Sequence, residues 1–253
     1  MNLWKSQKWL RQGTSLVVML LLWELLSRQG YIDPFYLPPP SQIGAALFQL
    51  FAEGSIWNHL AATATAALAG LVLGLILGAL LGFGGALIRP VADILEPIMI
   101  LLNAIPRVIL APLFIIWFGI GLGSKIAISI VLVAVLIFFA VYSGVREVDV
   151  RLVERVRTLG GGRGTLLREV YIPSVIAWIM GNLKVAVGFA FTGAVVGEFV
   201  ASSRGLGYLL SFAQSSYNAA LTMALIFLIM VFVLVLFVMA DRLEHWLLRW
   251  RHV

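Results

Sequence analysis

The chain has 253 residues, of which 61% are hydrophobic and 12% charged, with a mean hydropathy of +1.01. Soluble domains carry about 25% charged residues, so an ordinary soluble domain is excluded and a bilayer protein is indicated. The net charge of +6 is read as the positive bias of cytoplasmic loops rather than as a nucleic-acid surface, and with no cysteine there is no disulfide framework, thiol nucleophile or thiolate metal site.

Residues 1–13 carry Lys5, Lys8 and Arg11, with Trp4 and Trp9 as interfacial anchors. The first span is placed at 14–28. No small-residue cleavage site follows it, so it is read as a retained span and not a signal peptide. Four prolines within 31–41 stop any helix there. Ser41 is expected to cap a short amphipathic helix over 42–52, lying flat on the outer face, with Ile43, Leu47, Leu50 and Phe51 on one side.

The second span is placed at 57–88. Gly70, Gly74, Gly78 and Gly82 recur every four residues along it, a smooth strip that lets another helix approach closely. The third span, 91–118, is interrupted by Pro97, Pro106 and Pro112 and carries Asn103 and Arg107 in its middle third. A charge at mid-depth is costly and is normally turned into the bundle or toward water, so both are candidate pathway residues, with a purely structural pairing equally open. The fourth span is placed at 125–143. The fifth, 175–200, contains Lys184 and Glu198, two further pathway candidates. These two are fourteen residues apart, about 21 Å along a straight helix, so they cannot pair with each other. The sixth span is placed at 218–240, followed by a basic amphipathic tail.

The topology can be tested by counting. With six spans and a cytoplasmic N-terminus, inner segments hold thirteen lysines and arginines and outer segments three. That bias places both termini in the cytoplasm. The inner segment 146–173 is the longest charged interruption, with six arginines between 146 and 168. A helix is expected over 149–159, a break at Gly160, Gly161 and Gly162, and a second short helix over 164–170 before Pro173 opens the fifth span. Two short helices at a glycine turn make a compact knob.

This segment resembles the coupling loop of binding-protein-dependent ABC importer permeases, whose pattern is E-A-A, three residues, G, nine residues, I-x-L-P. Glu154, Gly160 and Pro173 fall at the matching spacing, with Val170 and Ile172 as apolar replacements. Arg155 and Val156 stand where the family has its alanines. The resemblance extends to L-P-P-P-S at 37–41, A-P-L-F-I-I-W-F-G-I-G at 111–121, G-V-R-E-V-D at 144–149 and E-F-V-A-S-S-R-G-L-G-Y-L-L at 198–210, which are similar to the nitrate/sulfonate/taurine branch.

The resemblance implies an all-α polytopic membrane protein of six transmembrane helices, with the type I ABC importer permease fold. It implies a chain in the bacterial inner membrane that pairs with a second copy of itself, a dimer of ATPase subunits and a soluble substrate-binding protein. Glu154, Leu159, Gly160, Gly161, Leu166, Leu167 and Pro173 would then form the ATPase-coupling element, with the leucines in a groove of the ATPase. ATP binding would close the ATPase, draw the two loops together and open the outer gate. The branch points to a small anion, such as a sulfonate, taurine or nitrate, with a vitamin precursor as the alternative. The chain lacks G-x-x-x-x-G-K-[ST] and cannot itself cradle ATP phosphates. No cofactor, catalytic residue or metal site is therefore expected on it, ATP and magnesium belonging to the ATPase. An ion-coupled secondary transporter or channel is the rival of another class. It predicts paired carboxylates within the membrane or inverted repeats, and the sequence offers one deep carboxylate, Glu198, and no evident repeat.

Overall fold

A computed structural model describes residues 3–247; the side chains of 3–10, Gln12, Arg107 and Leu247 fall outside that description. In chain order the helices are α1 (Leu3–Arg28), α2 (Pro40–Ala52), α3 (Ile56–Leu87), α4 (Arg89–Ala104), α5 (Leu110–Phe118), α6 (Leu122–Arg146), α7 (Val150–Thr158), α8 (Arg163–Leu166), α9 (Ile172–Val200), α10 (Leu206–Ser215) and α11 (Ala219–Leu247). A 3-10 turn covers Arg107–Ile109 and a π turn covers Leu167–Tyr171. No strand occurs among the described residues. The chain divides into two compact units, residues 1–58 with 209–230, and residues 59–208 with 231–253.

In the first unit, α2 begins at Pro40, with Pro39 as its N-cap. Proline suits a helix start because its missing N–H would find no partner there anyway. Ser41 therefore lies inside the helix and is not its cap, as the sequence had suggested. The capping oxygen comes from α1 instead: Glu24 accepts the Ser41 backbone N–H at 3.0 Å and its hydroxyl at 2.7 Å. A carboxylate at a helix N-terminus also meets the positive end of the helix dipole. Leu50 packs with Ala213 and Leu225 in a small core, and Asn218 caps α11 by accepting the Leu221 N–H at 3.0 Å.

The second unit is built around α6. The four-residue glycine strip of α3 lies directly on it. A Cβ added at Gly74 would come within 2.6 Å of Val133 Cβ, and one at Gly82 within 2.7 Å of Val141 Cβ. α9 approaches α6 just as closely, since a Cβ at Gly193 would sit 2.7 Å from Ser129 Cα. Ser129 donates its hydroxyl to the Ala190 carbonyl at 2.8 Å, tying the two helices across the contact. In a bilayer, lipid tails are as apolar as leucine, so such close packing and interhelical hydrogen bonds do the work that water would otherwise drive. Phe138 and Ile137 are completely buried.

Four described helical runs are long and apolar enough to cross a membrane: Ile56–Leu87, Leu122–Arg146, Arg163–Val200 and Ala219–Trp246. The expected first span falls in α1, which is 26 residues long. The third span, expected to be interrupted at Pro97, Pro106 and Pro112, breaks only at Pro106, Pro97 and Pro112 lying inside helices. Pro106 has no N–H to continue α4, so the backbone leaves the helix at Ile105, makes the 3-10 turn and restarts as α5. Neither piece alone has the roughly 20 residues that a crossing needs.

Candidate functional site

The charged segment forms the expected knob. Asp149 caps α7, its carboxylate accepting the Arg151 N–H at 2.9 Å. The helix ends with Gly160 at φ +81°. The Gly160 N–H reaches the Arg157 carbonyl at 3.0 Å, and the Gly161 N–H reaches the Val156 carbonyl at 2.8 Å. This is the paired closure of a Schellman end. A side chain in that left-handed conformation costs about 1–2 kcal/mol, which gives the motif glycine a physical reason. Gly161 is constrained differently, since a Cβ there would stand 2.8 Å from the Val156 carbonyl oxygen.

Beyond the turn, the helical run is unbroken from Arg163 into α9. The expected border at Pro173 is instead a π turn, with the Ile172 N–H bonded to the Leu167 carbonyl. Pro173 follows at the start of α9, where the missing N–H is accommodated. Leu159 is 82% exposed and Leu167 39%, and Glu154 is exposed as well. Leu166 is 7% exposed, on the same helical side as buried Val170, and as the chain stands it presents nothing to a partner. Arg151, Arg155, Arg157 and Arg163 are exposed and form no salt bridge among the described residues.

The four pathway candidates are not brought together. Asn103 lies exposed in the last turn of α4, and Arg107 opens the 3-10 turn, its side chain outside the description. Lys184 is held by Asp241 at 3.4 Å. The sequence placed Asp241 in the tail, but α11 continues to Leu247, which brings the acid level with Lys184. Phe191 against Phe232, with ring centroids 5.6 Å apart, continues the same antiparallel pairing of α9 and α11.

Glu198 is 1% exposed and belongs to a knot at the far end of α9. Its carboxylate accepts the Thr63 hydroxyl at 2.8 Å and the Gly207 N–H at 3.0 Å. Thr63 in turn accepts the Leu206 N–H at 2.9 Å. Glu198 and Thr63 together cap the N-terminus of α10, and Glu24 serves α2 in the same way. A Cβ on Gly205, at φ +118°, would fall on the Glu198 carboxylate. A Cβ on Gly207 would stand 2.8 Å from Glu198 Cβ. Of the two glycines of G-L-G-Y, Gly205 is therefore space for the carboxylate, and Gly207 lets α10 approach the backbone of α9. Lys125, 4% exposed, donates to Ser202 Oγ at 2.6 Å and to the Arg204 carbonyl at 3.1 Å. His59 receives the Gly205 N–H at 3.1 Å and stacks on Tyr208. Buried and bonded in this way, the carboxylate ties α3 and the start of α10 to the end of α9.

Thr63, His59 and Lys125 were missed in the sequence. The available signal was a polar pair four residues apart, His59 and Thr63, on one face of an apolar helix. Also missed was a chain at the end of α6, in which Arg146 donates to the Tyr142 hydroxyl at 2.8 Å and Tyr142 donates to Glu96 at 3.0 Å.

Three comparisons bear on this architecture. The pattern of the family "Binding-protein-dependent transport system inner membrane component" matches residues 70–251. The riboflavin transport system permease protein RibX of Chloroflexus aurantiacus is 36% identical over 246 residues, covering 96% of this chain and 91% of the relative. The taurine transport system permease protein TauC of Escherichia coli is 29% identical over 204 residues, covering 79% and 74%. In solved structures, an inward-facing form of the MetNI methionine ABC transporter superposes with a TM-score of 0.59 at 23% identity, over 76% of this chain and 93% of that one. That likeness bears on the fold alone. Fold, coupling-loop pattern and full-length relatives converge: the chain belongs to the inner membrane components of binding-protein-dependent transport systems, as a multi-pass permease subunit of an ABC importer.

Proposed function

We propose that two copies of this chain form the translocation pathway of an importer for a small organic anion, driven by a separate ATPase through the α7 knob. The observation that carries the coupling role is the knob itself. It projects exposed Leu159 together with Arg151, Arg155 and Arg157, which form no salt bridge among the described residues, from a helix that is capped at both ends, and Arg163 follows just beyond the turn. Glu154 and Arg155 are neighbours on it, with Leu159 one turn beyond, so the fitting partner surface is an apolar groove that offers a basic residue to Glu154 and acidic ones to the arginines. Leu159 and Leu167 take the groove-filling role, and Leu166 holds the knob to its own helix. Gly160 and Gly161 close the turn, and Pro173 marks its junction with α9. ATP and magnesium are handled on the ATPase, and the knob side, rich in arginine, is the cytoplasmic side with both termini.

The homodimer reading is supported by the broken helix at 105–109. Backbone outside a helix cannot face lipid and must face protein or a watery cavity. Yet Val108 is 58% and Ile109 65% exposed on the single chain, so a second copy or the pathway itself covers them. Arg107 sits in that break and is the residue we assign to attracting an anion, with Asn103 beside it. Lys184 and Glu198 are withdrawn to structural roles by their partners. The relative that moves taurine supports a solute that carries a negatively charged sulfonate group; the riboflavin relative, at higher identity, favours a vitamin-like solute as the second reading.

The test is reconstitution of the permease with its ATPase and substrate-binding protein in liposomes. Glu154→Ala is expected to lower both substrate-stimulated ATP hydrolysis and uptake about ten-fold, the loss of one charge-assisted contact of roughly 1.4 kcal/mol. If neither rate changes, the coupling assignment is wrong. Mass spectrometry of the ligand retained by the purified binding protein decides between the solutes, and an uncharged ligand overturns the anion role of Arg107.

A further inference from the structure

A cleft of about 970 Å³ lies between α3, α9 and α11, away from the knob and the broken helix. Its walls are apolar along their length, with Leu68, Leu183, Val187 and Met239 among the lining side chains. Its mouth is different. It is formed by the last turns of α11, where Arg242 and Trp246 line the opening and both are exposed. The acid at the mouth, Asp241, is already held by Lys184 at 3.4 Å. Among the described residues no carboxylate pairs with Arg242, and Glu244 lies outside the lining. The sequence beyond adds Arg249 and Arg251.

We infer that this cleft is a binding site for one anionic phospholipid of the inner leaflet. Its acyl chain would lie between Leu68, Val187 and Met239, and its phosphate would meet Arg242. The physical reasons are the order of chemistry along the cleft and its place in the bilayer. Apolar walls deep in the membrane suit hydrocarbon. Tryptophan is enriched at the headgroup level, and basic pockets between spanning helices on the cytoplasmic side select anionic headgroups. The charge bias of the loops puts the C-terminal end of α11 at that side. A neutral lipid would fill the walls equally well and gain nothing from Arg242. The charge at the mouth is what selects the anionic one.

The experiment is photolabelling in nanodiscs of phosphatidylcholine that contain a minor fraction of either phosphatidylglycerol or phosphatidylcholine bearing a diazirine near the acyl terminus. Labelled peptides are then mapped by mass spectrometry. The expected result is phosphatidylglycerol label concentrated on the Leu183–Val187 and Leu236–Met239 stretches, with weak phosphatidylcholine label there. Arg242→Gln lowers the phosphatidylglycerol label about five-fold, the effect of one basic residue at an anionic headgroup. Met239→Trp, which fills the cleft and leaves its mouth intact, removes the label on α9. Equal labelling by the two lipids overturns the site, as does label spread evenly over α1 and the cleft. Cross-links between two permease chains at the cleft also overturn it, because the occupant is then a second copy. The comparison of the two lipids on the unaltered protein decides the matter even if a variant fails to fold.

Discussion

The two ends of α9 are built on opposite terms. At one end Glu198 is sealed from solvent, and its carboxylate is bonded to Thr63 and to the N–H of Gly207, with Lys125 bonded close by. At the other, the helix runs through a π turn into a knob whose Arg151, Arg155, Arg157 and Arg163 have no salt-bridge partner among the described residues and whose Leu159 stands almost fully exposed. The first end has spent its polar groups on its own chain. The second has kept them available. That contrast separates a place that holds helices together from a place that meets another protein, and it does so without reference to any motif. It also explains why a titratable residue within a span is weak evidence of a pathway until its partners are known.

The comparison breaks most visibly at Gly205. A valine there must enter a left-handed conformation, at about 1–3 kcal/mol, and must displace the carboxylate that caps α10. Each capping group left without a partner in a buried setting adds roughly 1–3 kcal/mol. Gly205→Val is expected to give the largest loss of folded protein, read as monodisperse yield in detergent and as a fall in Tm. Glu198→Gln keeps an acceptor for Gly207 and is expected to fold, with uptake close to that of the unaltered chain. If Glu198→Gln keeps its Tm but loses uptake, the knot is part of the pathway after all. Gly74→Leu comes next. Its side chain enters the space held by Val133, and overpacking of this kind costs about 1–3 kcal/mol. The drop in Tm should be clear but smaller, and a silent Gly74→Leu would mean that α3 and α6 are not locked at this strip.

The same contrast marks what could be read in the sequence. Local chemistry was legible: the apolar runs, the glycine strip on α3, the Asp149 to Gly160 knob and the proline-rich break. Each of these is decided within a few residues. What was not legible was decided by partners far away. Glu198 looked like a deep, lone carboxylate because Thr63, which satisfies it, lies 135 residues earlier. Lys184 looked free because Asp241 was counted into a tail, when α11 carries the acid one helical level further in. Ser41 looked like a cap because it precedes a helix, yet Glu24, 17 residues before it, had already taken that role. The third span read as interrupted at three prolines, but only Pro106 breaks the helix, Pro97 lying inside α4 and Pro112 inside α5.

At the knob end, a fault should spare the fold and strike the coupling. Gly160→Val forces the left-handed C-terminal position of α7 at about 1–2 kcal/mol, in a segment that contributes little buried surface. The Tm of the permease alone is expected to stay within a degree or so of the unaltered chain, given several degrees per kcal/mol only for globally cooperative losses. ATP hydrolysis stimulated by loaded binding protein should fall about ten-fold, the rate equivalent of that local penalty. A large loss of Tm without loss of coupling would reverse the assignment of the two ends.

The smallest expected effect is at Lys184 and Asp241, where the pair is about half exposed on both sides. Such pairs contribute about 0.2–1 kcal/mol, so Asp241→Asn should barely move the Tm. Its value is in what it frees. If Lys184 is only a strut between α9 and α11, uptake of the anion is unchanged in Asp241→Asn and unchanged again in Lys184→Gln. If Lys184 serves the solute and Asp241 restrains it, the two substitutions must act in opposite directions. Apparent affinity for the anion would tighten when Asp241 is neutralised and weaken when Lys184 is lost. Concentration-dependent uptake by the two variants therefore tells whether any charge on α9 lies on the path, or whether Arg107 at the broken helix serves the anion alone.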